Sequence, residues 1–430
     1  MPARTGMLTL QQLRDLISVG RIDTVQLAMT DMQGRLQGKR LSAEFFLDEV
    51  AAHDTEACSY LLAVDVDMNT VHGYETSSWD TGYGDFVLKP DLSTLRNLPW
   101  EPGTALVLAD VVDHHGEPVA PSPRQVLKKQ LARLAERGWT AYAGTELEFM
   151  VFNDSYQQAW GKGYREMEPA VHYNGDYSML GGAFVEPLLK RIRTGMTGAG
   201  MYVESAKGEC NLGQQEIAFR YADALTTCDN HVIYKNGAKT IAFLRSADGT
   251  PVMSDPSRPY GFSEMMEHFL AGQLAFLRDF TLLYAPNINS YKRYAHGSFA
   301  PTGIAWGRDN RTCSMRVVVQ GLSLRVENRV PGGDVNPYLA IAGMIAAGLA
   351  GIDHGLTLPP EFTGNAYEAD VPRVPDMLTE AVDMFSWSEP ARLALGNDVV
   401  EHYINMGRVE LAAFQSTVTD WERFRSFERM

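Results

Sequence analysis

The chain has 430 residues and a mass of 47.7 kDa. Single cores stop growing near ~250–300 residues, so two domains are expected. Hydrophobic residues at 45% exclude a disordered chain, and a formal charge of −15 without a basic block argues against nucleic acid and anionic membranes as partners.

The N-terminal stretch MPARTGMLTLQQLRDLI lacks the basic-then-apolar order of a signal peptide. Four scattered cysteines without a CxxC pair suit a cytoplasmic protein better than a disulfide scaffold or a cysteine zinc site. Residues 8–20 predict a short helix with Leu8, Leu10, Leu13 and Ile17 on one face. Residues 22–41 predict two strands around Gln33-Gly34, and a further strand runs from Ala105 to Val112. Gly and Pro between His114 and Pro123 mark a boundary, giving domains at 8–113 and 120–430. Ser122-Pro123 then reads as a helix start, with Val126, Leu127, Leu131 and Leu134 buried and Gly138 as the stop. A strand follows from Trp139 to Phe152.

Downstream, the pattern predicts helices at 183–193, 223–242, 262–280 and 337–351, and from about 374 to the end. Strands are predicted at 214–219, 314–319 and 323–329. The class is α+β, with more antiparallel than parallel pairing. The apolar run Tyr338–Ile352 is short of the ~20 residues that span a bilayer, so it reads as a buried helix.

Three clusters carry chemistry. In Gly144-Thr-Glu146-Leu-Glu148-Phe149, strand alternation puts Glu146 and Glu148 on one face and Leu147 and Phe149 on the other. Two carboxylates among apolar flanks require a cation or a shared proton. Glu209-Cys-Asn-Leu-Gly-Gln-Gln-Glu216 supplies a second pair of acids. Arg325-Val-Glu327-Asn-Arg329 places Arg, Glu and Arg on one face, a pattern that alone reads as a structural ion-pair ladder. Arg293, Arg311 and Arg316 add guanidinium groups suited to carboxylate or phosphate. Hard oxygen donors favour Mg²⁺ or Mn²⁺. The P-loop, GxGxxG, GxSxG and HExxH motifs are absent from the sequence.

Taken together, GTELEF, GECNLGQQEIAFR, WGRDNRTCSMRV and RVENRVPGGDVNPYLA resemble, in this order, the glutamine synthetase family. DMQGRLQGKRL and YETSSWDTGYGDFVLKPD resemble its small N-terminal β-grasp domain. The resemblance implies that Glu148, Glu209 and Glu216 hold a first metal, and Glu146 and Glu327 a second. It implies that Arg293 binds a substrate carboxylate, that Arg311 and Arg316 hold ATP phosphates, and that Arg329 holds the transferring phosphate or the γ-carboxylate. The implied reaction joins an amine to glutamate's γ-carboxylate through a γ-glutamyl phosphate, with ATP and Mg²⁺ or Mn²⁺. The implied assembly is a dodecamer in which Glu75, with Ser78, serves a neighbouring subunit's site. Where ammonia-using members carry a loop Glu, this chain has Phe299, which points to an alkylamine, polyamine or ethanolamine.

One departure stands out. After Ile241-Ala242 the family has two more strands, one with Lys-Pro and one with His-x-His, and here Phe243-Leu-Arg-Ser-Ala-Asp-Gly249 follows directly. The shortfall is on the order of 25–30 residues, two strands and a turn. Either the chain lacks this segment or the sequence passes over it. A true lack would remove a second-metal histidine and would suit a non-catalytic regulatory paralogue. An ammonia-using glutamine synthetase is the other alternative. A metal hydrolase would use the same carboxylates but leave the arginine segments without a task.

Overall fold

Asp31 organises the first hairpin. Its Oδ1 accepts from the backbone N–H groups of Gln33 and Arg35 at 3.0 and 2.8 Å, and Oδ2 accepts from Arg35 Nε at 2.7 Å. Gly34 supplies the left-handed position of this turn, with φ +75°. The computed structural model describes residues 6–79, 81–154, 156–234, 238–246, 260, 262–318 and 324–427, with backbone alone for Leu147, Tyr156 and 238–246. By contacts these form two compact units, one of 1–57, 85–251 and 335–341, the other of 58–84, 252–334 and 342–430.

The first unit opens with α1 (Leu10–Ser18), started by a capping box between Thr9 and Gln12. Its first sheet contains β1 (Thr24–Thr30), β2 (Leu36–Ser42), β3 (Thr55–Cys58), β4 (Asp85–Asn97) and β5 (Thr104–Val112), in the order β2-β1-β5-β4-β3. β1 runs parallel to β5, and β1–β2 and β4–β5 are antiparallel. α2 (Pro123–Ala135) follows with Pro at its start, as the sequence predicts, although the Ser122 side chain makes no capping hydrogen bond. Val126, Leu127 and Leu134 are buried, and Leu131 is only partly so.

The second sheet of this unit is built on β6 (Trp139–Met150). α3 (Met179–Gly198) is longer than the predicted 183–193 and carries Pro187 within it. β7 (Val203–Gly208) and β8 (Gln214–Phe219) form an antiparallel hairpin, and β8 pairs antiparallel with β6. Short β9 (Ala222–Asp223) also pairs with β6. Phe149, Val203 and Ala206 pack with buried Val185, Leu189 and Ile217, so the opposite face of these strands is left to polar side chains.

The predicted helix 223–242 is a correction. α4 covers Ala224–Tyr234 only, and Ala238–Ser246 is β10, antiparallel to β6 from Ala238↔Leu147 to Ser246↔Trp139. The sequence stop was Asn236-Gly237, and the β-branched and aromatic residues after it favour a strand. Pairing with β6 also satisfies backbone groups that a bare edge would leave open.

In the second unit, α5 (Glu264–Ala275) ends earlier than the predicted 280. α6 (Ile288–Lys292) precedes β11 (Trp306–Arg308), β12 (Met315–Val318) and β13 (Arg325–Asn328). β11–β12 is parallel and β12–β13 antiparallel. α7 (Pro337–Asp353), counted with the first unit as far as Ile341, is the buried apolar helix expected, with Asn336 Oδ1 accepting from Tyr338 N at 3.1 Å. A Cβ on Gly272 of α5 would meet the Ala347 carbonyl oxygen at 2.3 Å, so glycine lets these two helices touch backbone to backbone. α8 (Leu378–Trp387) and α9 (Asn397–Gln415) follow. Among the described residues no helix is long and apolar enough to cross a membrane.

Candidate active site

In the first unit, strand register builds one row of charge. Glu148 of β6 stands opposite Glu216 of β8, and Glu216 stands opposite Lys207 of β7. Directly opposed residues share a face, so the three side chains meet on the side away from Phe149 and Ile217. Glu209 joins them from the β7–β8 turn, where its N–H donates to the Gln214 carbonyl at 3.0 Å. Its place is therefore a turn between two strands. Carboxylate oxygens of Glu148, Glu209 and Glu216 all lie within 4.8 Å of one another. Gln214 Nε2 donates to Glu148 Oε2 at 3.0 Å.

The withdrawal of these acids from water has a cost, and it shows in Glu216. Burial, a hydrogen bond with Glu209 and the charge of Glu146 raise its carboxyl, Lys207 lowers it, and the outcome is a pKa of about 7. Lys207 donates to Glu209 Oε1 and, at 2.9 Å, to Glu216 Oε2. Burial alone would lower the Lys207 ammonium, but its two carboxylate partners hold it above the ordinary lysine range. An all-oxygen set that already draws in a cationic group fits a hard divalent ion. Glu146 lies two residues from Glu148 on β6, part-buried, as its alternation predicts.

In the second unit, β12–β13 register sets Arg316 opposite Glu327. Arg316 Nη1 donates to Glu327 Oε2 at 2.8 Å, and Arg325 and Arg329 lie 3.4 and 3.8 Å from the same carboxylate. Arg316 also pairs with Asp309 through Nε at 2.9 Å. The ladder suggested by RVENR is thus present. Arg329 is buried at 1% exposure and donates through Nη2 to the Phe299 carbonyl at 3.1 Å. Arg293 donates to the carbonyls of Val330 and Arg329 at 2.8 and 3.2 Å. Phe299 holds a left-handed φ of +59° and is 54% exposed, and Arg311 is exposed.

Glu75 is exposed on a pinned loop of this unit. Tyr74 is buried with its ring 4.5 Å from His402, and Ser77 Oγ is 2.8 Å from Ser59 Oγ. Ser78 caps a turn with Thr81. Alternate pinning leaves Glu75 and Thr76 facing outward.

The glutamine synthetase catalytic-domain family matches residues 120–247 and 243–426. This chain belongs to the glutamine synthetase family. It is 57% identical, over 452 residues covering 99% of this chain and 97% of the relative, to the γ-glutamylethanolamide synthetase GlnA4 of Streptomyces coelicolor. It is 37% identical to a glutamate–isopropylamine ligase of a Pseudomonas species, covering 96% and 97% of the two chains. A glutamine synthetase of Halobacterium salinarum matches at 30%, covering 96% of each chain. Among solved structures, the ADP complex of GmaS superposes with a TM-score of 0.83 at 24% identity, covering 97% of this chain and 99% of that one, a likeness of fold. The family match divides at 243–247, beside the predicted shortfall. A match of 452 residues against 430 leaves roughly 22 or more aligned positions without a residue here. Residues 247–259 lie outside the described residues.

Lys207 is the residue that sequence reasoning missed. The signal was present: Val203, Ser205 and Lys207 alternate through a strand that was not predicted, and Lys207 precedes Glu209 by two.

Proposed function

We propose that the protein is an ATP-dependent glutamate–amine ligase that makes γ-glutamylamides from an alkylamine, polyamine or ethanolamine, in preference to ammonia. The carrying observation is the three-glutamate site on a chain of this family whose relatives divide by substrate. Identity is 57% and 37% to ligases named for ethanolamide and isopropylamine, against 30–32% to several glutamine synthetases.

On this reading Glu148, Glu209 and Glu216 hold Mg²⁺ or Mn²⁺, which when bound neutralises charge on nucleotide phosphates. Glu146 and Glu327 act as further ligands. Arg293 takes the carboxylate of glutamate, Arg311 and Arg316 the ATP phosphates, and Arg329 the transferring group. For Arg316 this requires leaving Glu327 or sharing it with the phosphate, since the two are hydrogen-bonded at 2.8 Å. The γ-carboxylate oxygen attacks the γ-phosphorus and ADP leaves. The amine nitrogen then attacks the acyl carbon, phosphate leaves, and the amine loses a proton.

Phe299 favours an amine with carbon on it. Its ring cannot pair with ammonium or take its proton, but it can cover an alkyl chain. Domains at 8–113 and 120–430 and a dodecameric assembly complete the proposal, with Glu75 reaching a neighbouring subunit's amine. The test is phosphate release from ATP, glutamate and Mg²⁺ with a panel of amines. Ethanolamine or another alkylamine should exceed ammonia in kcat/KM, and a preference for ammonia overturns the reading.

A further inference from the structure

Lys207 sits where a cation belongs. It is the last-but-one residue of β7, directly opposite Glu216, and two residues before Glu209. Its ammonium donates to both carboxylates, and the side-chain exposures of Lys207, Glu209 and Glu216 are 25%, 14% and 8%. Three acids crowded into little water would repel, and this tethered charge offsets one of them.

A divalent ion bound to the same oxygens would lie within a few ångströms of that ammonium. At ~4 Å even unit charges interact by about 4 kcal/mol at an effective dielectric of 20, and a doubly charged ion doubles the repulsion. The two cations therefore compete for the site. The ammonium has one more contact in this same position: Nζ also lies 5.0 Å from the centre of the Tyr177 ring, which can retain it once a carboxylate is given up. The Tyr177 backbone takes a left-handed φ of +53° and its N–H donates to the Gly208 carbonyl at 3.3 Å, while the residue itself is exposed.

We propose that Lys207 is a resident cation of the carboxylate site. Its ammonium holds Glu209 and Glu216 together before a divalent ion binds, and gives them up to the ion while keeping its contact with Tyr177. Metal affinity is then set by competition with this side chain. The inference rests on the reading that Glu148, Glu209 and Glu216 hold a divalent ion, and it adds a residue that tunes that ion's occupancy.

The experiment is Mn²⁺ binding to the full chain without nucleotide or glutamate, followed by the EPR signal of free Mn²⁺ at fixed pH. Lys207→Gln should bind Mn²⁺ on the order of tenfold more tightly, the scale of one hydrogen bond to a charged group. Lys207→Arg, which keeps the charge, should stay close to wild type. Tyr177→Ala removes the contact that would retain the displaced ammonium and should weaken binding by about two- to fivefold, the range of an exposed cation–π contact. This second variant decides the matter if Lys207→Gln does not fold. Metal-free Lys207→Gln should also melt lower than wild type and gain more on adding Mn²⁺. Glu216→Gln separates the two readings. If it leaves Mn²⁺ binding unchanged, the metal site itself is wrong. If it abolishes binding while Lys207→Gln and Tyr177→Ala match wild type, the metal site stands and the role of Lys207 is overturned.

Discussion

Arg316 donates from Nη1 to Glu327 Oε2 at 2.8 Å, so a residue expected on ATP phosphates is bonded to one expected on a metal. Glu327 is 4% exposed and serves Arg325 and Arg329 as well, and Arg329 is 1% exposed. Removing the carboxylate takes away the acid that three guanidinium groups share, the buried Arg329 among them, while Arg316 keeps Asp309. Glu327→Ala should therefore lower unfolding free energy by about 3 kcal/mol, as breaking buried pairs does. Denaturant titration checks this. A loss of activity with unchanged stability would show that Glu327 serves only a ligand.

Glu148 and Glu209 are placed by strand register and a turn, and neither anchors the apolar core of the unit. Replacing either by Ala should abolish ligation while leaving assembly intact, because each removes a hard ligand. Activity assays with light scattering on the same preparation test both halves. Full activity in either variant would remove these residues from the metal site.

Arg124 is a structural counterpart in the first unit. At 3% exposure it donates to Asp229 through Nε and Nη2 at 3.0 Å, to Asp110 at 2.5 Å and to Asp91 at 2.7 Å. Tyr338 Oη adds a hydrogen bond to Asp229 at 2.7 Å. Arg124→Met would leave three acids facing one another and should cost about 3–5 kcal/mol. Its melting temperature should rise again when Asp229 is changed to Asn in the same chain, because one of the repelling charges is then gone.

His402 gives the second unit a pH dependence. Burial drives its pKa down to about 3 from the ordinary 6.5, against a weaker pull from a backbone hydrogen bond at Leu62. A depressed histidine is neutral when folded and charged when unfolded in mild acid. Its contribution is therefore present above pH 6.5 and is lost as pH falls toward 3, by about 1.4 kcal/mol per unit. The Tyr74 ring lies 4.5 Å away, so acid should loosen the loop that presents Glu75. Hydrogen exchange at residues 72–78 should rise below pH 6, and His402→Gln should flatten that rise.

The legible parts of this molecule were those governed by short-range pattern. Alternation placed Glu146 and Glu148 opposite Phe149, and it placed Arg325, Glu327 and Arg329 together. The apolar run Tyr338–Ile352 announced α7, and Gly138 the end of α2's segment. What failed was long-range or cooperative. Helical periodicity carried 223–242 past the Asn236-Gly237 turn signal, because the pairing with β6 that makes the following segment a strand lies far away in sequence. Lys207 was overlooked because its meaning lies across two strand pairings, with Glu216 and through it Glu148. The ladder around Glu327 was legible as a pattern, but only the register with β12 brought in Arg316.

Phe299 offers the sharpest test of amine choice. Its backbone is held by Arg329, buried, which donates to its carbonyl, and it takes a left-handed φ of +59°. The residue is 54% exposed and can be exchanged without opening the core. Phe299→Glu would put an acid where ammonia-using relatives are expected to have one. An acid there pairs with ammonium and accepts its proton, but loses apolar cover for a carbon chain. The variant should therefore gain in kcat/KM for ammonia by on the order of tenfold and lose a similar factor for alkylamines, since a buried methylene or two is worth about 1–2 kcal/mol. Phe299→Ala should lose the alkylamine without gaining ammonia. Phosphate-release kinetics on the three proteins with both amines measure this directly. If Phe299→Glu changes both substrates by the same factor, the ring is a loop anchor and the choice of amine is made elsewhere.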